Sequence, residues 1–432
     1  MNYLWCYVFI TLLILPFHTA LAGTIVKLTN NTSQTINTLI VSDGPKDLYT
    51  PLESEVTPLR TENILNLSRY NNIEANREYW IYLFLGENFY GLKIHLQGSV
   101  WGSSMSYNLF DPFGSDGFSV SDRNIHHISD GGYNYYLKAI YTGGYDDLHI
   151  VVDDIESKIP ATVDDGLRMM TYNTWMLPYI SRERDTRSRY IAEAVKGYDV
   201  VFLQEVFDLD NEDTINFLMS EEYPYRSEKL DANDSNTFDG GVLTYSKYPI
   251  EFQDQLVFEH CTGTDCSGDK GAVYTKVNRS GQFYHLFNIH LGAWNGDRYR
   301  QTRMAQLGEL RVFISAQQIA EHEPVIVGGD FNIDREHYRE EFQQMLRILD
   351  AHDPGESSPF KYSSDSYLNH FSLNNDSTAI DRERLDYVLL LKSSSPKRYI
   401  NNVLPRRVFT SELWGKWELS DHFAVEALIE IE

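Results

Sequence analysis

"PVIVGGDFN", residues 324–332, is a short apolar run that breaks into two glycines, an aspartate and an asparagine. Val325, Ile326 and Val327 after a proline read as a buried strand. Asp330 and Asn332 are polar groups delivered at its end. The pattern recurs through the C-terminal half. "LRMMTYNTW" (167–175) runs into Asn173, and "YDVVFLQEV" (198–206) into Gln204 and Glu205. Asp421 and His422, beside the apolar run "HFAVEALIEI", read as a fourth polar strand end. An isolated polar strand end is usually mere surface. Four apolar strands that each meet a carboxylate, amide or imidazole suggest one shared site at a sheet edge.

The surrounding sequence mixes strands and helices without strict alternation. "RDTRSRYIAEAVKG" (184–197) predicts an amphipathic helix stopped at Gly197. Residues 298–320 predict a longer one, with Met304, Leu307, Leu310 and Ile314 at helical spacing. "GGVLTYSK", "GAVYTKV", "FYHLFNIHLG" and "LDYVLLL" predict further strands. Residues 167–432 therefore read as an α/β domain of two packed sheets with helices outside. Residues 23–152 differ. Their short β-branched and aromatic runs, separated by Asn, Asp, Gly and Ser, predict an all-β sandwich-like domain. It is either structural or a lipid- or glycan-binding module; the residues favour neither. The acidic "DDIESKIPATVDDG" (153–166) reads as a linker. No internal repeat is visible in the sequence.

The chain has 432 residues and a formal net charge of −25. It cannot use a bulk positive field to hold nucleic acid or an anionic membrane, so nucleic acid is not the expected partner. A zwitterionic lipid surface carries no such penalty. The apolar "YVFITLLIL" (7–15), Pro16 and Ala20-Leu21-Ala22 resemble a signal peptide over 1–22, although no Lys or Arg precedes them. The alternative is a short membrane anchor. The expected location is secreted and extracellular, and the expected state is a monomer. In that setting Cys261 and Cys266, close together in "HCTGTDCSGDKG", read as a small disulfide loop.

The residue types at the strand ends fit metal-assisted phosphoryl transfer. A hard divalent ion such as Mg²⁺ wants oxygen ligands and few carboxylates, which points to Glu205 with Asn173 beside it. His422 can take a proton from attacking water, with Asp386 of "RLDYVLL" fixing its tautomer. His290 ends another strand and can assist at phosphorus, and Asn332 can donate to a phosphoryl oxygen. No glycine-rich P-loop and no G-x-S-x-G elbow occurs, which excludes the usual triphosphatase and serine-hydrolase readings.

"MTYNTWMLP", "LQEVFD", "GGVLTYSKYPI", "DKGAVYTKV", "NIHLGA", "GGDFNID", "LDYVLL" and "LSDHFAV" follow one another in the order of the endonuclease/exonuclease/phosphatase superfamily. Over roughly 165–430 the chain looks most like its secreted bacterial neutral sphingomyelinases. The resemblance implies a four-layered α/β sandwich of the DNase I-like kind. It also implies Mg²⁺-dependent cleavage of sphingomyelin to ceramide and phosphocholine, with a choline phospholipid as substrate and a sphingomyelin-containing membrane surface as partner. By motif match Glu205 is the central metal ligand, with Asn173 and Asp421 close to it. Asp330 and Asn332 orient phosphate and water, Asp386 pairs with the base His422, and His290 assists. A secreted metal-dependent nuclease with the same catalytic set is the alternative. Arginines at 182–189 and 298–303 would then line a groove, or else simply face solvent.

Just before the Ser-Asp-His, Trp414 and Trp417 flank Gly415-Lys416. The resemblance implies a membrane-dipping hairpin here, though a short one. Trp suits the headgroup boundary, and Trp294, soon after His290, could extend the same rim. Packing inward as core is the alternative for all three.

Overall fold

A computed structural model describes residues 23–32, 34–42, 49–68, 77–85, 88–99, 102–110, 126–130, 133–141, 148–153, 166–230, 239–356, 358, 360–366, 368–369, 371–372, 381–407 and 418–431. The segment read as a signal peptide (1–22) and residues 154–165 of the linker lie outside them. So do Trp414 and Trp417. The chain divides into two compact units, Met1–Asp154 and Ile155–Glu432.

The described residues of the first unit form strands and loops, with no helix among them. One sheet runs Tyr49–Pro51, Thr61–Ser68, Gly23–Asn31, Leu148–Asp153, Tyr133–Tyr141, His126–Asp130. The other runs Glu55–Val56, Ile36–Ser42, Arg77–Leu85, Asn88–Ser99, Gly102–Phe110. Gly23–Asn31 and Leu148–Asp153 pair in parallel, so the unit's first and last described strands close on each other. Alternation supplies the interior: Val26, Leu28, Leu65 and Leu67 are buried in one sheet, and Ile36, Ile81 and Leu83 in the other.

The second unit stacks a six-stranded on a five-stranded sheet. The first has the order Tyr225–Arg226, Leu243–Ser246, Val200–Gln204, Gly166–Asn173, Ala424–Ile431, Pro396–Leu404. The second has Ile250–Val257, Gly271–Arg279, Gln282–His290, Val325–Asp330, Asp386–Leu390. Their central strands are apolar on both faces because both faces are covered. Leu167, Met169, Val200, Phe202, Leu286 and Ile326 pack between the sheets. The alternate residues Phe287, Ile289 and Val327 pack outward with Leu307, Leu310 and Met345 of the helices Asp297–Ala316 and Arg339–Leu349. The helices Arg184–Ala194 and Leu209–Met219 bury Ile191 and Ile215. This is the four-layered sandwich expected from the sequence.

Two helices, Leu209–Met219 and Arg339–Leu349, had not been expected, although the second carries Phe342, Met345, Leu346 and Leu349 at helical spacing. Asp208 caps the first, accepting from the Asn211 N–H at 3.2 Å. The helix expected over 298–320 is Asp297–Ala316. Gly329 is required where it stands. Its φ is +146°, and a Cβ there would lie 2.0 Å from the Ile289 carbonyl oxygen. That close approach lets the strand before Asp330 lie tight against the strand before His290.

Candidate active site

Strand register assembles the site. Gln282–His290 and Val325–Asp330 run parallel, with His290 opposite Asp330. Asp386–Leu390 runs antiparallel beside them, with Asp386 opposite Asp330. In the other sheet Gly166–Asn173 and Val200–Gln204 are parallel, with Asn173 opposite Gln204. Asp421 and His422 do not end a strand, as the sequence had suggested; they precede Ala424–Ile431. That strand is antiparallel to Gly166–Asn173, so its start lies at the same edge.

The facing edges meet. Asn173 Nδ2 donates to Asp330 Oδ2 at 3.0 Å, linking the two sheets. Asp330 Oδ1 accepts the Asn332 N–H at 2.9 Å, and Asn332 Nδ2 donates to the Leu291 carbonyl at 3.1 Å. His422 Nδ1 lies 2.8 Å from Asp386 Oδ2, an oriented imidazole–carboxylate pair that leaves Nε2 available. His290 Nε2 lies 3.7 Å from Glu205 Oε1 and 3.6 Å from Asp330 Oδ2. Glu205, Asp330, Asn332, Asp421 and His422 line a cleft of about 650 Å³. Trp294, 60% exposed, stands at its rim. Gln204 points elsewhere: its Nε2 donates to Asn288 Oδ1 at 2.7 Å in the buried layer between the sheets.

Four residues around this cleft adopt the left-handed conformation that non-glycine residues avoid: Trp175 (φ 49°), Glu205 (φ 58°), Trp294 (φ 73°) and Asn332 (φ 51°). Each costs on the order of 1–3 kcal/mol, so the fold must hold it there.

The electrostatics are those of crowded buried acids. Burial pushes Glu205 up to about 7 despite nearby Lys270, and Asp421 adds to the rise. Burial, with Asp386, pushes Asp330 up to about 6. Asp421 is raised by burial as well. Burial, then Lys270 and His422, holds His290 well below its ordinary value. Burial opposes charge on His422, but Asp386, Asp330 and Asp421 outweigh it and hold the imidazole well above its usual range.

The donor set fits a hard cation. Several buried carboxylates converge, and Glu205 Oε2 is buried with no hydrogen-bond partner. Asp330, Asp386 and His422 also bring ligand atoms within 4.8 Å of one another. There His422 Nδ1 and Asp386 Oδ2 are paired with each other, and Asp386 Oδ1, like Glu205 Oε2, is buried with no hydrogen-bond partner among the described residues.

Residues 170–422 match the model of the Endonuclease/Exonuclease/phosphatase family. The chain belongs to that family. Sphingomyelinase C of Bacillus cereus is 30% identical over 331 residues, covering 68% of this chain and 96% of that protein. The crystal structure of a beta toxin 275–280 form from Staphylococcus aureus superposes with a TM-score of 0.57 at 28% identity, covering 60% of this chain and 99% of that one. A second beta toxin structure, a mutant with bound magnesium ions, gives 0.54 at 27% identity over 61% and 99%.

Three residues that shape this cleft had not stood out in the sequence. Lys270 places Nζ 2.6 Å from His290 Nε2. Its only signal was its place in "DKGAVYTKV". Arg187 and Arg303 belong to the arginine runs that suggested either a basic groove or a solvated face. They serve neither, because both are fully buried. Arg303 Nη1 donates to the carbonyls of Gly292 (3.2 Å) and Trp294 (2.7 Å), and its Nε donates to Glu341 Oε1 at 2.9 Å. Periodicity could not reveal this, since a buried arginine looks like any charged helix residue.

The expected disulfide is present, Cys261–Cys266, with a Cα–Cα distance of 5.2 Å. Its loop is tied to the rim: Asp265 Oδ2 accepts the Ala293 N–H at 2.5 Å, next to Trp294.

Proposed function

We propose that this protein is a Mg²⁺-dependent phosphodiesterase of the phospholipase C type that hydrolyses sphingomyelin to ceramide and phosphocholine. The observation that carries the reading is the cleft itself. A His422–Asp386 pair, an Asn173–Asp330–Asn332 cluster and Glu205, one of whose carboxylate oxygens is buried and unpartnered among the described residues, meet at one cleft. The likeness to a sphingomyelinase C over nearly that protein's whole length supports the substrate.

In this reading Glu205 holds the ion, with Asn173 and Asp421 near it. Bound there, such an ion would polarise the phosphoryl oxygens and would add positive charge near His422, opposing the rise in the imidazole pKa. Asp386 keeps the proton on His422 Nδ1, so Nε2 carries the lone pair that takes a proton from the attacking water. Asn173 Nδ2 and Asn332 Nδ2 each carry a second hydrogen beyond the one given to Asp330 and to the Leu291 carbonyl, and this is the donor offered to a phosphoryl oxygen. Lys270, held 2.6 Å from Nε2 of the neutral His290, supplies a fixed positive charge where negative charge builds up. The water oxygen bonds to phosphorus as the P–O bond to ceramide breaks; the leaving ceramide oxygen takes up a proton from solvent, His422 returns its own to solvent, and phosphocholine keeps the new P–O bond. Trp294 at the rim suits a lipid surface, with Trp414 and Trp417 proposed to join it. Secretion and an extracellular, monomeric state belong to the same proposal. Among the described residues no helix is long and apolar enough to cross a membrane.

The test is hydrolysis of sphingomyelin liposomes and of DNA, side by side, with Mg²⁺ and with EDTA. Metal-dependent release of phosphocholine with intact DNA is the expected outcome. DNA cleavage with untouched liposomes would overturn the substrate.

A further inference from the structure

Arg187 is a buried cation whose hydrogen bonds, among the described residues, run to carbonyl oxygens alone. Nη1 donates to Thr174 at 2.8 Å and to Leu419 at 2.6 Å, Nη2 to Trp175 at 2.7 Å, and Nε to Arg182 at 2.8 Å. Its guanidinium lies 5.3 Å from the Trp175 ring and 5.2 Å from the Phe371 ring, both lining the cleft. Burying such a charge is expensive, and an apolar residue of similar volume is often tolerated in its place. Stability alone is therefore a poor reason for it.

Its position offers a better one. Thr174 and Trp175 directly follow Asn173, and Leu419 stands two residues before Asp421. These stretches are far apart in sequence, and one guanidinium spans them. The grip extends to Glu205. Thr174 N–H donates to the Gln204 carbonyl at 2.9 Å and Met176 N–H to the Glu205 carbonyl at 3.0 Å. Trp175 and Glu205, two of the left-handed residues, thus lie on one hydrogen-bonded frame with Arg187 beneath it.

We infer that Arg187 is a positioning residue: it sets the separation between the Asn173–Glu205 side of the cleft and the Asp421–His422 side. It touches no substrate. It acts by fixing backbone that carries the groups proposed to hold the ion and the base. The inference rests on the proposed phosphodiesterase reading for its kinetic consequence, but not for its effect on ion binding.

The experiment uses the purified chain with Arg187→Lys and Arg187→Met. Lys keeps the charge but lacks the planar fork that reaches four carbonyls. Met removes the charge at similar volume and serves should the Lys variant not fold. Three quantities are read: the melting midpoint, kcat and KM on a soluble phosphocholine ester, and the Mn²⁺ dissociation constant by calorimetry. Loss of outer positioning contacts typically costs about 10–100-fold in metal affinity or activity. We expect kcat to fall about tenfold or more with KM nearly constant, and Mn²⁺ to bind several-fold more weakly in folded protein. A lowered melting midpoint with unchanged kcat and unchanged Mn²⁺ affinity would reduce Arg187 to a structural residue and overturn the inference. If the native chain binds Mn²⁺ but cleaves no ester, the proposed function falls, and the Mn²⁺ comparison still decides the role of Arg187. A native chain that does neither overturns both.

Discussion

Two strand–helix–strand arms build the site, and they are built alike. In one, Gly166–Asn173 leads through Trp175 to the helix Arg184–Ala194 and back along Val200–Gln204. In the other, Gln282–His290 leads through Trp294 to Asp297–Ala316 and back along Val325–Asp330. Each return strand delivers a left-handed polar residue, Glu205 or Asn332. Each helix sends one buried arginine back onto the carbonyls of the loop before it. The difference is the counterion. Arg303 has Glu341 at 2.9 Å, whereas the hydrogen bonds of Arg187 go to carbonyls only. One arm is a self-contained ion pair that shapes a rim. The other leaves its cation open to the field of Asp421. Burial lowers the Arg187 pKa to about 10 overall, and Asp421 partly offsets that fall. The arm with the unpaired arginine is the one next to the proposed metal ligands.

The largest effect is expected from removing what neither arm supplies. His422→Ala should lower turnover by ~10²–10⁴, with an unchanged circular dichroism spectrum. Near-full activity would remove His422 from the mechanism. Next come the two arms themselves. Glu205→Gln and Asp330→Asn should each reduce kcat by on the order of 10³, since each removes charge stabilisation of several kcal/mol. Calorimetry should separate them, with Mn²⁺ binding lost chiefly in Glu205→Gln. Equal loss in both would mean that the ion sits between the arms.

The counterion difference predicts a stability contrast. Arg303→Met leaves Glu341 buried and unpaired, and chemical denaturation should report about 3–5 kcal/mol lost. Adding Glu341→Leu should restore most of it, whereas Arg187→Met strands no carboxylate and should cost less. Equal costs at the two arginines would erase the contrast. The smallest expected effect is at the rim. Trp294→Ala should weaken binding to zwitterionic vesicles by a few fold, and lower hydrolysis on vesicles more than hydrolysis of a soluble ester. Equal loss on both substrates would assign Trp294 to the cleft wall instead.

The doubly covered strands were legible because a short apolar run bounded by polar residues is what a strand buried on both faces requires. Asn173, Glu205, His290, Asp330, Asn332, Asp386, Asp421 and His422 could therefore be named before any geometry was known. The near-symmetry of the arms was not legible, since it lies in backbone conformation and arginine burial and not in repeated letters. The helix Leu209–Met219 was missed because its apolar residues are sparse before Ile215, whereas Arg339–Leu349 was overlooked although Phe342, Met345, Leu346 and Leu349 follow the helical period.

The strands, two of the helices, the fold class and the kinds of group at the strand ends were readable from the amino-acid order, because they follow from local periodicity and residue chemistry. Three-dimensional packing was needed to show that the start of one strand and the ends of others share an edge, since strand direction depends on pairing partners far away in the chain. Packing also separated Gln204, which hydrogen-bonds between the sheets, from Glu205, which faces the cleft. It turned two arginines from surface charges into buried clamps. Burial is a property of what packs around a residue, and no neighbour in sequence records it.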